Sequence, residues 1–277
     1  MKQALQSILR VLLLPVLAAG VMVAPAQAQD AEALIDRAMT GSQRSDANKA
    51  RDKYRHPKET LLFFGLKPNM TVVEITPGAG WYTEILAPVM RGGVYYAAIF
   101  QMTEKSSETQ RTNDRIFRAK LAGDADVYGK VQLSVFAPNA IQVAPAGSAD
   151  MVLTFRNVHN WAKAGTADAM FKAFYDALKP GGILGVKDHR AEPDTPFEKQ
   201  IESGYMTEVW VIETAQKAGF KLESKSDINA NPKDTKDHPS GVWTLPPTLR
   251  LGDKDREKYL AIGESDRMTL KFVKPLR

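Results

Sequence analysis

From residue 57 onward, short apolar segments rich in β-branched residues alternate with longer segments whose apolar residues recur at helical spacing. Residues 94–100 are apolar at nearly every position, as expected of a strand buried on both faces of a sheet. The pattern predicts seven strands, at residues 71–75, 94–100, 131–136, 151–155, 183–187, 220–224 and 268–273. Alternation of this kind predicts an α/β domain with a mostly parallel sheet and helices on both faces.

The predicted helices lie between these strands and before the first of them. Pro57 suits the first turn of a helix, and Gly65 suits the position after the end of one. The predicted helices cover residues 30–39, 58–64, 81–90, 107–122, 166–178 and 207–218. No internal repeat interrupts the series, so we expect one domain built from successive strand–helix units.

The first 28 residues follow a different pattern. Lys2 and Arg10 give a positively charged start, and residues 11–23 are almost wholly apolar. This apolar run is shorter than the roughly 20 residues that a membrane-spanning helix needs. The small residues Ala26 and Ala28 then match a signal-peptidase site. We expect a cleavable signal peptide, a periplasmic or secreted protein, and no membrane span after cleavage. An uncleaved N-terminal anchor is the alternative interpretation.

Residues 29–277 have the length of one large α/β domain. We expect an N-terminal helix and connection at 29–50, and the main domain at 51–277. Residues 229–262, here named the lid segment, break the alternation and are rich in Asp, Lys, Pro and Gly. Because this segment also contains Trp243 and Leu245, we expect an ordered lid over the strand ends rather than a disordered loop.

Charge and composition exclude several functions. The net charge of +5 falls to +3 without the leader, and basic residues are interleaved with acidic ones, so no nucleic-acid partner is expected. The absence of Cys excludes disulfides, thiolate metal sites and a Cys nucleophile. No HxH or HExxH pair, GxSxG elbow or Walker loop is present, which argues against a metal site, a serine hydrolase and nucleotide phosphate binding by a Walker loop.

A glycine-containing turn follows the first predicted strand, in the sequence Val72-Val73-Glu74-Ile75-Thr76-Pro77-Gly78-Ala79-Gly80-Trp81. Gly78 and Gly80 allow the backbone to approach a ligand closely, and the next helix presents free N–H groups. In an open parallel sheet, ligands bind outside the carboxyl ends of the strands. The alternative is a tight turn that needs glycine for its own geometry.

Two further polar segments follow the fourth and fifth strands and therefore belong to the same edge of the sheet. The first is Arg156-Asn157-Val158-His159-Asn160-Trp161, and the second is Asp188-His189-Arg190-Ala191. Asp188 could hold His189 in one tautomer, and Arg190 could meet an anionic acceptor. The alternative is that Arg190 pairs with an acid to fix the loop, that His159 is a hydrogen-bonded loop residue, and that Trp161 belongs to the core.

These motifs together resemble those of the class I methyltransferases that use S-adenosylmethionine. The resemblance covers about residues 51–275, and it is closest to a bacterial group of predicted exported methyltransferases. It implies a Rossmann-like sandwich and transfer of a methyl group to an unknown small-molecule acceptor. It also implies site residues: Glu74, Thr76, Gly78, Gly80 and Trp81 for the cofactor, His159 and His189 for catalysis, and Asn157, Trp161 and Arg190 for the acceptor.

Two departures from the family pattern concern the cofactor. Thr76 replaces the first Gly of the usual run, and residues 97–99 are Ala-Ala-Ile where the family has an acidic residue for the ribose hydroxyls. Such a carboxylate would accept two charge-assisted hydrogen bonds, so its loss should weaken binding. Gln101 and Glu104 are the nearest polar substitutes. The alternative function is therefore an exported binding protein that kept the fold and lost the chemistry, since S-adenosylmethionine is made in the cytoplasm.

Overall fold

The computed structural model describes residues 26–137 and 140–276, with side chains from residue 31 onward. Residues 1–25 of the predicted signal peptide therefore lie outside the described residues, and residues 26–28 open the first helix. Within the described part of the chain, no helix has the length and apolarity needed to cross a membrane.

One seven-stranded sheet forms the centre of the molecule. Its strands are β1 Thr71–Ile75, β2 Val94–Phe100, β3 Val131–Phe136, β4 Ala149–Phe155, β5 Leu178–His189, β6 Lys221–Ser226 and β7 Arg267–Val273. The strand order is β3-β2-β1-β4-β5-β7-β6. Strands β1 to β5 pair in parallel, whereas β7 runs antiparallel to both β5 and β6. The prediction of a mostly parallel seven-stranded α/β sheet is thus confirmed.

Twelve α-helices are present in the described residues. They are α1 Ala26–Thr40, α2 Asp46–Lys49, α3 Asp52–Arg55, α4 Pro57–Phe64, α5 Thr83–Val89, α6 Glu108–Gly123, α7 Ala125–Tyr128, α8 Val158–Ala164, α9 Ala167–Ala177, α10 Phe197–Ser203, α11 Glu208–Lys217 and α12 Arg256–Ile262. The six predicted helices correspond to α1, α4, α5, α6, α9 and α11. The other six have four to seven residues each, too few for a helical period to show in the sequence.

Local sequence explains where the well-predicted helices begin and end. Pro57 occupies the first turn of α4, and Gly65 ends it with a left-handed φ of 84°. Ser107 and Gln110 form a reciprocal cap at the start of α6. The Gln110 backbone N–H donates to the Ser107 hydroxyl at 3.2 Å, and the Ser107 backbone N–H donates to the Gln110 side chain at 2.7 Å.

Hydrophobic cores lie on the two faces of the sheet. One contains Phe171 and Phe174 of α9, and the other contains Phe64 of α4 together with Ile85 and Leu86 of α5. Strands β1 and β4 occupy the middle of the sheet and are buried from both sides. Their carboxyl ends therefore open at the centre of one edge, where two chain connections leave in different directions and a cleft forms.

Part of the lid segment packs near this edge, where Val242 and Trp243 cluster with Ala191 and Tyr205. The segment contains a short 3-10 helix, Gly241–Thr244, a cis peptide bond between Pro246 and Pro247, and α12. Leu245 is fully buried, whereas Trp243 is only partly buried. The Tyr205 hydroxyl donates to Asp234 at 2.9 Å, which fixes the start of the segment against the domain.

Candidate active site

A cavity of about 630 Å³ opens at the carboxyl ends of β1, β4 and β5. Its volume lies in the usual range for a small-molecule site. It is lined by the turn after β1, the residues after β4 and at the end of β5, α2 with α3, α6, the start of β7, and the lid segment, where Trp243 and Arg250 contribute. The cavity thus lies where the sequence predicted a ligand.

The two glycines of the turn after β1 have different surroundings. Gly78 has a φ of 62°, and a Cβ atom built on it would meet nothing within 4 Å, so its face is open to the cavity. Gly80 has a φ of 82°, but a Cβ there would come within 3.0 Å of the Phe117 ring. Gly78 therefore permits close approach of a ligand, whereas Gly80 permits packing of the turn against α6.

Thr76 adopts an unusual backbone conformation at the centre of the site. Its φ is 50°, which is sterically unfavourable for a β-branched residue. Its backbone N–H donates to the Ala98 carbonyl at 2.8 Å, and its Oγ1 is buried with no partner among the described residues. Strained residues of this kind cluster at functional sites, where surrounding structure holds them in place. Thr76 also lines the cavity, so its hydroxyl lies beside the space that a ligand would occupy.

Glu74 is buried at the end of β1 and ties three elements together. Its Oε2 accepts hydrogen bonds from the Thr83 hydroxyl, at 2.8 Å, and from the Tyr95 hydroxyl. Burial raises the pKa of Glu74 to about 7, although both hydrogen bonds and the charge of Lys120 oppose that rise. The carboxyl consequently anchors the turn after β1 to β2 and to the beginning of α5.

Aromatic rings form one wall of the cavity, and a buried lysine lies against them. The ring of Tyr82 stacks on that of Phe155, with centroids 3.6 Å apart. Lys187 Nζ donates to the Tyr82 hydroxyl and, at 3.0 Å, to the Arg55 carbonyl. Burial lowers the pKa of Lys187 well below its usual value, and the nearby charges of Arg267 and Arg55 lower it further. Phe155 and Lys187 are not among the site residues predicted from the sequence.

Three arginines converge on one carboxylate beside the cavity. Arg51 Nε donates to Glu264 Oε1 at 2.6 Å, Arg55 Nε donates to Oε2 at 3.0 Å, and Arg267 also donates to Oε2. Burial raises the pKa of Glu264, but Arg267, Arg55, Arg51 and Arg156 together lower it well below its usual range. Glu264 is therefore ionised and holds the arginines in place.

Arg156 also faces the cavity, from the position directly after β4. Its φ is 63°, and its backbone N–H donates to the Lys187 carbonyl at 2.7 Å. Its Nε donates to His189 Nε2 at 3.3 Å. Burial and the charge of Arg267 lower the pKa of Arg156 to about 10, so the guanidinium is charged at neutral pH.

The histidines predicted to be catalytic, His159 and His189, are buried outside the lining of this cavity. Their ring centroids are 5.1 Å apart. Asp188 accepts from His159 Nδ1 at 2.9 Å and from the Val158 N–H at 2.6 Å, so it caps α8. Burial, together with the charge of Arg156, holds the pKa of His189 well below its usual value, and the ring is neutral. Their catalytic role stays a prediction.

The same two histidines and Asp188 place ligand-type atoms within 4.8 Å of one another, a spacing that would suit a metal ion. Their hydrogen bonds already engage those atoms, since His189 Nδ1 contacts the Ser265 hydroxyl and Nε2 receives the Arg156 N–H. A guanidinium beside the ring would also repel a cation. We therefore assign no metal to this cluster.

The other predicted residues divide between the cavity and its surroundings. Asn157 lines the cavity, and its side chain donates to the Ile75 carbonyl at 2.9 Å, which joins β1 to β4. Trp81 also lines it and donates from its indole to the Asn48 carbonyl at 3.1 Å. Arg55 lies over the indole ring, 4.7 Å from the centroid. Asn157 and Trp81 therefore border the space that a ligand would occupy.

Trp161 and Arg190, predicted to bind the acceptor, lie elsewhere. Trp161 packs in the core with its ring 5.4 Å from that of Phe174. Arg190 donates to both carboxylate oxygens of Asp266 at 3.0 Å and pairs with Asp227 at 2.6 Å. These are the core and ion-pair interpretations that the sequence also allowed. A part in acceptor binding stays a prediction for both residues.

A smaller pocket of about 80 Å³ adjoins the main cavity at the turn after β1. It shares Thr76, Pro77, Gly78 and Asn113 with the main cavity and is otherwise formed by the apolar end of β2 and by α6. Ile99 and Met102 line it, as does the carboxylate-bearing Asp114. Gln101 and Glu104, the polar substitutes suggested by the sequence, do not line it.

Solved structures with a similar fold are methyltransferases and at least one cyclase. The first is an S-adenosylmethionine-dependent methyltransferase from Aquifex aeolicus, 17% identical, with a TM-score of 0.53 over 88% of this chain and 98% of that one. The cyclase SpnF is 17% identical, with a TM-score of 0.55 over 93% and 99%. The chain has the fold of the class I methyltransferases.

A third similar structure is phosphoethanolamine N-methyltransferase 2 from Haemonchus contortus, solved with S-adenosylmethionine. It is 18% identical, with a TM-score of 0.51 over 87% of this chain and 60% of that one. No protein-family model matches the chain, and no curated protein sequence matches it. These similarities establish the methyltransferase fold, and the chemistry must be argued from the site itself.

Proposed function

We propose that the protein is an S-adenosylmethionine-dependent methyltransferase that acts on a small acceptor. The open space over Gly78 carries the proposal, because the turn after β1 leaves room for a ligand against the backbone and supplies the unpartnered Thr76 hydroxyl. The main cavity and the smaller pocket, which share Gly78, would receive the two ends of an elongated ligand. The cofactor, when bound, would supply an electrophilic methyl group.

The residues at the smaller pocket fit the adenosine end of the cofactor. Ile99 and Met102 offer apolar surface for a base, and Asp114 offers the carboxylate that is missing from the end of β2. A carboxylate has about four acceptor positions, so the hydrogen bonds that Asp114 accepts from Arg118 leave others for ribose hydroxyls. We infer that Asp114 on α6 replaces the acidic residue of the family pattern.

The residues of the main cavity would orient the acceptor and exclude water. The stacked rings of Tyr82 and Phe155 form an apolar wall, and Trp243 of the lid segment lies opposite the histidine pair, with its ring 6.2 Å from His159. Alignment of donor and acceptor is the main requirement of a displacement reaction. An oxygen or nitrogen acceptor also needs a base. The bond to Asp188 leaves Nε2 of His159 as an acceptor, but the ring lies outside the cavity lining, so His159 could take the proton only through a bridging group.

Calorimetric titration of the purified protein with S-adenosylmethionine and S-adenosylhomocysteine tests the proposal. We expect micromolar binding of both, worth about −8 kcal/mol. Gly78→Val should abolish it by filling the ligand space. Gly147→Val is the matched control, because Gly147 has a nearly identical φ of 61° and also has nothing within 4 Å, but lies outside both cavities. Equal affinity in the two variants would contradict the site.

An alternative function is a binding protein that kept the fold without methyl transfer. Fully buried Ala97 and Ala98 leave β2 without the ribose-binding acid, and the similarity to a cyclase indicates that this fold also serves other chemistry. We also propose, from the leader sequence, that the protein is exported, where the cofactor has no evident supply. A folded protein that gives no heat with either ligand at millimolar concentration would favour this alternative.

A further inference from the structure

The wall of the main cavity carries more positive charge than its carboxylates neutralise. Its basic side chains are Arg51, Arg55, Arg156, Lys187, Arg250 and Arg267. Glu74 is the acidic residue in the lining, and its raised pKa leaves it partly protonated at neutral pH. Glu264 pairs with three of the arginines from behind the wall. Buried cations need counter-charges close by, and one or two carboxylates are too few to neutralise this group.

Each of the three arginines on Glu264 also keeps one nitrogen without a partner among the described residues. These atoms are Nη2 of Arg51, Nη2 of Arg55 and Nε of Arg267. All three are buried atoms, and Arg55 and Arg267 are only 5% and 1% exposed as residues. Buried hydrogen-bond donors almost always have an acceptor in folded proteins. Three unpartnered N–H donors among the arginines on Glu264 therefore indicate that the cluster binds a further acceptor.

The neighbouring cations in the cavity wall destabilise one another. Burial lowers the pKa of both Arg55 and Arg156; the charge of Arg156 also lowers the pKa of Arg55, and the charges of Arg267 and Arg51 lower the pKa of Arg156. Arg156 uses Nε for His189, and its two terminal nitrogens have no recorded hydrogen bond within the described residues. A ligand that brought negative charge and several acceptor oxygens would relieve this repulsion and satisfy the free donors together.

We propose that the methyl acceptor carries a compact oxyanion, a carboxylate or a phosphate, that binds between Arg55, Arg156 and Arg267. The inference rests on the proposed methyltransferase function and names the chemical class of its acceptor. Guanidinium groups recognise such oxyanions through paired N–H donors, and here they approach from α3, from the end of β4 and from the start of β7. The oxyanion is the part of the acceptor that the enzyme holds.

The charge of the methyl donor favours this assignment. A sulfonium is a cation, and a wall of unbalanced guanidinium groups would repel it. An acceptor oxyanion would offset that repulsion, so acceptor and donor should bind with positive coupling. The coupling should be weaker for S-adenosylhomocysteine, whose sulfur is neutral. The rival source of an oxyanion is the carboxylate of the methyl donor itself, which would make the cluster part of the donor site.

Titration with inorganic phosphate distinguishes the two sources. We expect phosphate to bind the free protein and the protein saturated with S-adenosylhomocysteine with similar affinity. We also expect it to tighten S-adenosylmethionine binding more than S-adenosylhomocysteine binding, since coupling between two ligands is reciprocal. Mutual exclusion of phosphate and S-adenosylhomocysteine would overturn the proposal by assigning the cluster to the donor. Absence of phosphate binding to the folded protein would also overturn it.

Two substitutions locate the phosphate. Arg156→Gln and Arg55→Gln should each weaken phosphate binding about tenfold or more, and circular dichroism and thermal melting would verify that each variant is folded. Arg37→Gln is the control, since Arg37 is exposed on α1 and lines none of the cavities described. Phosphate affinity equal in all three variants would place the anion elsewhere. Phosphate binding without any S-adenosylhomocysteine binding would support the oxyanion site and contradict the proposed methyltransferase function.

Discussion

The rings of Tyr82 and Phe155 stack with their planes 9° apart, and the contact joins two chain segments that leave the sheet at neighbouring strands. Tyr82 follows the turn after β1, whereas Phe155 is the last residue of β4. Because Lys187 at the end of β5 donates to the Tyr82 hydroxyl, the stack holds three strand ends in one arrangement. The shape of the cavity therefore depends on a contact that no single motif encodes.

Replacing Phe155 with leucine should loosen this arrangement. We expect Phe155→Leu to lower the free energy of unfolding by about 1–2 kcal/mol, because it removes an aromatic pair and leaves space in the wall. Urea unfolding would measure the change, and ligand affinity should fall with it. Phe197→Leu is the control, since Phe197 also stacks on a ring, that of Trp210, but is 41% exposed. Equal losses in the two variants would contradict the structural role given to the stack.

The raised pKa of Glu74 predicts a pH dependence of stability. The group has a pKa of about 7 when folded and about 4.5 when unfolded, so the folded state binds more protons between these values. Stability should therefore fall as pH rises from about 5 to 8, by an amount on the order of 3 kcal/mol from this group. The loss reflects the cost of ionising a buried carboxyl.

Glu74→Gln isolates that contribution, because glutamine still accepts from the Thr83 and Tyr95 hydroxyls and does not titrate. Urea unfolding at pH 5 and pH 8 should show the variant gaining stability relative to the wild type as pH rises. Glu104→Gln, at an exposed position, should track the wild type at both pH values. A constant difference between Glu74→Gln and the wild type would show that Glu74 is ionised throughout.

The strands were the most predictable part of the fold. The bounds of β1, β2 and β3 agree with the predicted ranges, because each is an apolar or β-branched run between turn residues. Helix α8 was missed, since residues 156–161 resemble a polar loop and the helix has only seven residues. The cap on α8 comes from Asp188, thirty positions away from Val158, so local sequence could not reveal it.

The glycine turn was equally predictable, but the basic cluster was not. The site residues predicted from the sequence all lie at or after the carboxyl ends of the parallel strands β1, β4 and β5. Strand β7 is antiparallel, so its beginning lies at this edge and brings Arg267 opposite His189. Glu264 precedes β7 and arrives with it, and both meet Arg51 and Arg55 only through the tertiary fold. The strand order, which the sequence does not display, creates the cluster.

Removing the carboxylate of Glu264 should be strongly destabilising. We expect Glu264→Gln to lower the free energy of unfolding by about 3–5 kcal/mol, because it leaves buried guanidinium groups without their counter-charge. The folded pKa of Glu264 lies below the unfolded value, so this stability is present at neutral pH and is lost as pH falls below about 4.5. Urea unfolding at pH 7 would measure the loss, and added phosphate should restore part of it.

Glu198→Gln, at an exposed position with no recorded ion pair, is the control for Glu264→Gln. A loss no larger than that of the control would show that the cluster does not need a resident anion.

The carboxylate of Asp114 should determine how well the adenosine end of the cofactor binds. Asp114→Asn is expected to weaken S-adenosylhomocysteine binding about tenfold, because a charge-assisted acceptor for the ribose hydroxyls is replaced by a neutral amide. Titration calorimetry with S-adenosylhomocysteine and with adenosine would measure the effect, and both ligands should lose the same factor since they share the ribose. Phosphate affinity should not change, because Asp114 lines the smaller pocket and not the main cavity that the arginines line. Glu104→Gln tests the substitute suggested by the sequence, and its affinities should match those of the wild type, because Glu104 is exposed and outside the pocket. A tenfold loss in Glu104→Gln with none in Asp114→Asn would move the ribose site from α6 to the loop after β2.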